Sequence, residues 1–164
     1  LQGLKIRTME SKPHLDAFKS FGANPLPMAY SDLFTSLETG VLDGAEAANS
    51  NYYSKKFFEV APYWAQIGWL RLVAPVIMSK DFYDRLPFDL QKIVDTTLSE
   101  LVDYERELYT QISEKRLNQL EALNVNITYP DPIPFKELSR NVYDNWAEKI
   151  GGWELINEIQ NFQY

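Results

Sequence analysis

Leu4-Lys5-Ile6-Arg7-Thr8-Met9-Glu10-Ser11 is a short strand candidate followed by a polar turn, and it sets the reading of the residues that follow. Lys12 to Phe21 then carries Leu15, Phe18 and Phe21 on one face, with Gly22 as a helix stop. Pro25 and Pro27 hold Asn24 to Met28 extended. Ser31 reads as the N-cap of a helix ending near Gly40, with Leu33, Phe34 and Leu37 turned inward. Val41-Leu42-Asp43-Gly44 returns toward a strand end. Strand and helix signals alternating in this way predict an α/β fold on a parallel sheet.

Beyond Gly44 the pattern predicts a helix over Tyr52 to Trp64, broken near Pro62. Leu70 to Met78 is rich in Val, Ile and Leu and suits a strand buried on both faces. Phe88 to Asn124 holds no Gly or Pro, and its apolar residues recur at helical spacing after Pro87. Such a helix would be roughly 55 Å long. A coiled coil is one reading, but Tyr104 and Tyr109 interrupt the seam; the other is a helix leaning across two lobes. Val125 to Tyr129 alternates like a strand, Pro130, Pro132 and Pro134 stiffen a connector, and helices over Phe135 to Ile150 and Trp153 to Phe162 close the chain around Gly151-Gly152.

The net charge of −7 argues against a nucleic-acid partner and requires a local cation for any anionic ligand. No cysteine is present, so disulfides and thiolate metal sites are excluded. No run approaches the ~20 apolar residues of a membrane span. The chain opens on Leu1 rather than Met, and the expectation is a piece of a longer protein, with any export signal upstream. His14 is the only histidine and has no serine or cysteine nucleophile beside it, which reads as a surface or packing residue. Asp43 and Glu46 have the residue types for acid–base work, but turn chemistry and a structural hydrogen bond explain them more simply. No phosphate-cradling loop, nucleophile elbow or metal-ligand cluster occurs, so neither catalysis nor a cofactor is expected.

Three segments converge at strand ends: Leu4 to Ser11, Gly22 to Tyr30 and Leu37 to Ala47. Arg7 lies at the carboxyl end of its strand, where ligands sit in open α/β sheets. Alone, it reads more readily as a surface charge or an ion pair. With Lys56-Phe57-Phe58-Glu59-Val60-Ala61-Pro62-Tyr63 and Leu86-Pro87-Phe88-Asp89-Leu90-Gln91-Lys92-Ile93-Val94, these segments resemble, in order and spacing, the DctP family. That family comprises the solute-binding subunits of tripartite ATP-independent periplasmic (TRAP) transporters.

The resemblance implies a periplasmic binding protein-like two-lobed fold that closes on its ligand. Residues 1–72 and 110–164 would belong to the second lobe. Residues 73–109 would be a returning segment of the first, with the start of a long lobe-spanning helix. It further implies a periplasmic protein that binds a small-molecule carboxylate and hands it to TRAP membrane subunits. Arg7 matches the arginine that pairs with the ligand carboxylate, a role suited to a planar guanidinium. Tyr30 matches an aromatic that packs on the ligand, and Trp69 a cleft position that could equally be hinge packing. Glu10 would orient Arg7 or accept from a ligand hydroxyl. Ala47 departs from the asparagine common at its position, so either Asn49 or Asn51, just downstream, would take over as donor, or the carboxylate would be held differently. A sugar acid, a keto acid and a dicarboxylate all remain open as ligands. A ligand-sensing or dimerising domain of the same fold, a homodimer seamed by the long helix, is the alternative.

Overall fold

The computed structural model describes residues 1–162 and divides into two compact units, Leu1–Trp69 with Val125–Tyr164, and Leu70–Asn124. In the first unit, β1 (Lys5–Thr8) is the centre of a parallel sheet with β2 (Asn24–Pro27) and β3 (Gly44–Ala45) on its flanks. Arg7 stands opposite Leu26 of β2 and Ala45 of β3. The parallel sheet expected from the alternating pattern is therefore present. Asp43 extends it, since its carboxylate accepts from the Lys5 backbone N–H at 2.7 Å and its own N–H donates to Lys5 O.

Helix α1 (Lys12–Ser20) crosses from β1 to β2. Its end is set by Gly22, which adopts φ +86°; a Cβ there would also meet Gln2 Oε1 at 2.6 Å. Ile6, Ala17, Phe18, Phe21 and Ala23 form the core between helix and sheet, with Trp69 and Phe135 packed against it. Edge-to-face ring contacts join Phe18 to Phe21 and Trp69, and Phe21 to Phe135. Gly44 lies so close to this core that a Cβ would stand 3.1 Å from Ile6 Cδ1.

The next turn differs from the sequence reading. Ser31 lies inside a 3₁₀ turn over Tyr30–Asp32 and donates to the Asp32 carboxylate, rather than capping α2 (Leu33–Glu38). A single helix over Tyr52 to Trp64 does not form either. α3 (Asn49–Ser54) is followed by Lys56, which takes a left-handed backbone at φ 56°. A 3₁₀ turn over Phe57–Glu59 follows, and Trp64 lies on β4 (Tyr63–Ala65). Tertiary contacts decide this: the Trp64 ring stacks on buried Tyr52 at 4.2 Å, and its Nε1 donates to Asn49. Burial pushes the Tyr52 hydroxyl up to about 12.

In the second unit α4 (Lys80–Asp84) precedes α5 (Phe88–Ala122). The long helix forms without interruption over 35 residues. The expected strand at Leu70 to Met78 is absent, and every residue from 70 to 78 is exposed, Ile77 at 87%. A strand exists only through its ladder, and no strand among the described residues pairs with this run. The chain then returns to the first unit, where β5 (Asn126–Thr128) pairs in parallel with β4. The last helical region is α6 (Ile133–Leu138), α7 (Arg140–Trp146), a 3₁₀ turn at Ala147–Lys149 and α8 (Gly152–Asn161). The helix predicted over Phe135 to Ile150 is broken at Ser139, whose Oγ donates back to Lys136 O.

Candidate functional site

The site is built on β1. Ile6 points into the core, so strand alternation would turn Arg7 to the opposite face. Arg7 is nonetheless buried, with only 6% exposure, because the segments after β2 and β3 close over it. Its Nε donates to Met28 O at 3.0 Å, and Nη1 donates to Glu46 Oε1 at 3.3 Å. The Tyr30 ring lies 5.3 Å from Cζ, within cation–π range. Backbone carbonyl, carboxylate and ring thus hold the guanidinium plane from three directions. Nη2 has no bond within the described residues.

Glu46 reaches Arg7 because parallel pairing of β1 with β3 sets residues 39 positions apart side by side. Sequence reasoning assigned Glu46 a structural hydrogen bond and Arg7 a ligand role, without joining them. No local signal links them, and only the sheet register does. Tyr30 also packs edge-on against Phe57 at 5.6 Å. Its hydroxyl is sealed from solvent without a partner. Burial raises its pKa, Arg7 opposes that and Glu46 adds to it, so the phenol stays neutral and able to donate.

His14 belongs to the same neighbourhood, which its sequence context did not reveal. Its ring meets Trp69 edge-on at 5.2 Å, and its Nδ1 is buried without a partner. Burial lowers its pKa, while the Glu46 carboxylate pulls the other way. Trp69 therefore touches both the core, through Phe18, and the polar cluster, through His14.

Other sequence-predicted positions are placed elsewhere. Glu10 is exposed just past β1. Ala47 lines a cavity of about 360 Å³ together with Ala45, Tyr52, Phe57 and Trp64. The Asn49 carboxamide oxygen accepts from Trp64 Nε1 at 2.9 Å and Gln66 Nε2 at 2.7 Å, which ties α3 to β4. Asn51 is exposed. No cluster of metal-ligating side chains occurs among the described residues. The arrangement offers one oriented cation, one neutral phenol donor and aromatic faces. It suits an anion bearing polar substituents.

Comparison with known proteins gives the geometry a family context. The sequence family described as bacterial extracellular solute-binding protein, family 7 (DctP) matches residues 1–149. The 2,3-diketo-L-gulonate-binding periplasmic protein of Escherichia coli is 31% identical over 99% of the chain and 51% of its own length. A TRAP periplasmic solute-binding protein from Pseudomonas putida, solved with bound D-glucuronate, superposes with a TM-score of 0.87 at 28% identity. The match covers 100% of this chain and 53% of that one. A second, from a Sulfitobacter species with bound β-D-galacturonate, gives 0.82 at 29% identity over 97% of this chain and 52% of its own. The chain spans about half the length of the curated relatives it matches.

Proposed function

Because the chain belongs to the DctP family of bacterial extracellular solute-binding proteins, we propose that it forms part of a periplasmic protein that captures an organic acid for a TRAP-type transporter. The family is one of solute-binding proteins rather than enzymes. The observation that carries the reading is the buried guanidinium of Arg7, fixed through Nε and Nη1 while Nη2 stays open. Nη2 presents its N–H donors to a carboxylate in the fixed guanidinium plane, a direction that a lysine ammonium cannot reproduce.

The remaining roles follow from placement. Tyr30 offers its ring to the ligand beside the Arg7 guanidinium. Glu10, exposed at the end of β1, accepts from a ligand hydroxyl. Trp69 supplies an apolar wall. Ala47 has no side-chain donor, so Arg7 carries the carboxylate; the bonds from Trp64 and Gln66 engage the Asn49 carboxamide oxygen, and Asn51 is exposed beside it. A hydroxylated sugar acid satisfies these groups better than a plain dicarboxylate, and relatives solved with uronates favour the same choice.

Residues 1–72 and 110–164 form the second lobe in this reading, with 73–109 returning from the first. The break between compact units at Trp69 and Leu70 supports the first of those boundaries. A sensing domain dimerised through α5 is the second reading, and the exposed Ile93 and Leu101 on that helix favour it. Sedimentation equilibrium separates the two, because the transport reading needs no dimer.

The direct test is a thermal-shift screen of the full-length protein against small carboxylates, with D-glucuronate as first probe and D-glucose as the uncharged control. A ligand at a hundred times its Kd adds about 2.7 kcal/mol of stability, several degrees in Tm for a domain of this size. The expected result is a shift with the acid and none with the sugar. No shift with any mono- or dicarboxylate would sink the proposal.

A further inference from the structure

Among the described residues, Glu46 is the one carboxylate bonded to the Arg7 guanidinium, and it is tied to Arg7 at two points. Its backbone N–H donates to Arg7 O at 3.3 Å, just past the β1–β3 pairing that sets Ala45 opposite Arg7. Its Oε1 accepts from Arg7 Nη1 at 3.3 Å. The sheet register therefore fixes where this carboxylate stands. The pair is sunk into the protein, with side-chain exposures of 7% for Arg7 and 14% for Glu46. Each member nevertheless keeps one free arm. Nη2 of Arg7 and Oε2 of Glu46 have no bond among the described residues, and neither is sealed from solvent. The open face thus sets a cationic donor beside an anionic acceptor.

A carboxylate that binds Nη2 comes to rest near a second carboxylate, because Nη1 and Nη2 hang from one carbon and Nη1 already carries Glu46. Like charges that close, in a pocket largely screened from water, repel strongly, and one guanidinium offsets only part of the repulsion. A ligand hydroxyl beside the carboxylate relieves the rest by donating its proton to Oε2. A hydrogen bond to a charged acceptor of this kind is worth roughly ten- to a hundredfold in affinity. An acid without that hydroxyl meets the repulsion in full and displaces water from Oε2 without replacing it.

We infer that Glu46 is the specificity-determining residue of the site: its free Oε2 accepts from a ligand hydroxyl near the carboxylate held by Arg7, so that hydroxy acids are selected over plain carboxylates of the same size. This role rests on Arg7 anchoring the carboxylate, and it narrows the substrate class to acids with a hydroxyl on the α or β carbon. D-glucuronate qualifies through the hydroxyl on its β carbon.

The test compares D-glucuronate with tetrahydropyran-2-carboxylate, which keeps the ring oxygen and the carboxylate but has no hydroxyl. Both are titrated calorimetrically into the full-length protein, the weaker by displacement of the stronger, and the ratio of their Kd values measures the preference. Glu46→Gln keeps the shape and an acceptor but loses the charge, and Glu46→Ala removes both; thermal melts confirm that each variant folds. The preference for D-glucuronate should fall about tenfold or more in E46A and by less in E46Q. Tetrahydropyran-2-carboxylate should bind about three- to tenfold more tightly to both variants, because the competing charge is gone. Damage to packing would weaken both acids alike and cannot produce this opposite movement.

A preference within twofold of the parental value in both variants, or weaker binding of tetrahydropyran-2-carboxylate to E46A, overturns the inference. Arg7→Ala, titrated alongside, separates the two readings. Weakening of both acids in R7A with an unchanged preference in E46A strikes the role of Glu46 and leaves the carboxylate anchor in place. Parental affinity in R7A removes the anchor, and the role of Glu46 with it; binding of neither acid to the parent protein counts against both.

Discussion

Replacing Arg7 with Ala in the full-length protein is expected to weaken D-glucuronate binding by about 2–5 kcal/mol, roughly thirty- to several-thousandfold. The loss exceeds that of an ordinary surface charge because Arg7 is almost wholly buried and already oriented by Met28 O, Glu46 and the Tyr30 ring. No ordering entropy is left for the ligand to offset at this residue. Arg7→Lys keeps the charge and loses both the Nε bond to Met28 and the planar fork, so its affinity should fall between the parent and R7A. Isothermal titration of the three proteins measures the series. An R7A variant that folds and binds with parental affinity removes Arg7 from the site.

The second large effect concerns stability. Phe18→Ala should lower unfolding free energy by about 3–5 kcal/mol, the range for deleting a buried aromatic. Phe18 is 4% exposed and is the hinge of two edge-to-face contacts, with Phe21 on one side and Trp69 on the other. Its loss opens the core beneath β1 and withdraws the support of Trp69, against which the His14 ring rests. Urea denaturation followed by circular dichroism tests this; a change under 1 kcal/mol would mean that the core between α1 and the sheet contributes far less than its packing implies.

The first forty-four residues, apart from the 3₁₀ turn that takes Ser31 out of its capping role, were legible because their signals are local. Proline-held extension at Asn24 to Met28, apolar periodicity over α1 and the stop at Gly22 each act within a few residues, and the parallel sheet follows from their order. α5 was legible for the same reason. What escaped were features decided by distant partners. Leu70 to Met78 has strand composition, but composition cannot supply the ladder. Trp64 sits in a stretch of helical spacing, yet stacking on Tyr52 and a bond to Asn49 draw it into β4.

The site divides along the same line. Arg7 was singled out by its strand-end position and the order of the motifs, Tyr30 by the family resemblance, and the structure places the two side chains in contact. Glu46 was read as a structural acceptor and is one, although its partner lies 39 residues away on a neighbouring strand. His14 gave no signal at all. A lone histidine on a helix reads as packing, and only tertiary placement sets it against Trp69 and within the field of Glu46. Asn49 was offered as a substitute donor; its carboxamide oxygen also braces α3 against β4, a contact that no local signal announces.

The central claim is that Arg7 holds the ligand's carboxylate. It is tested most directly by a crystal structure of the full-length protein with the acid that most raises its Tm. The account predicts a carboxylate oxygen about 3 Å from Nη2 of Arg7, with the Nε bond to Met28 O retained. A bound acid whose carboxylate lies on any other cation, with Arg7 still closed on Glu46, would contradict it.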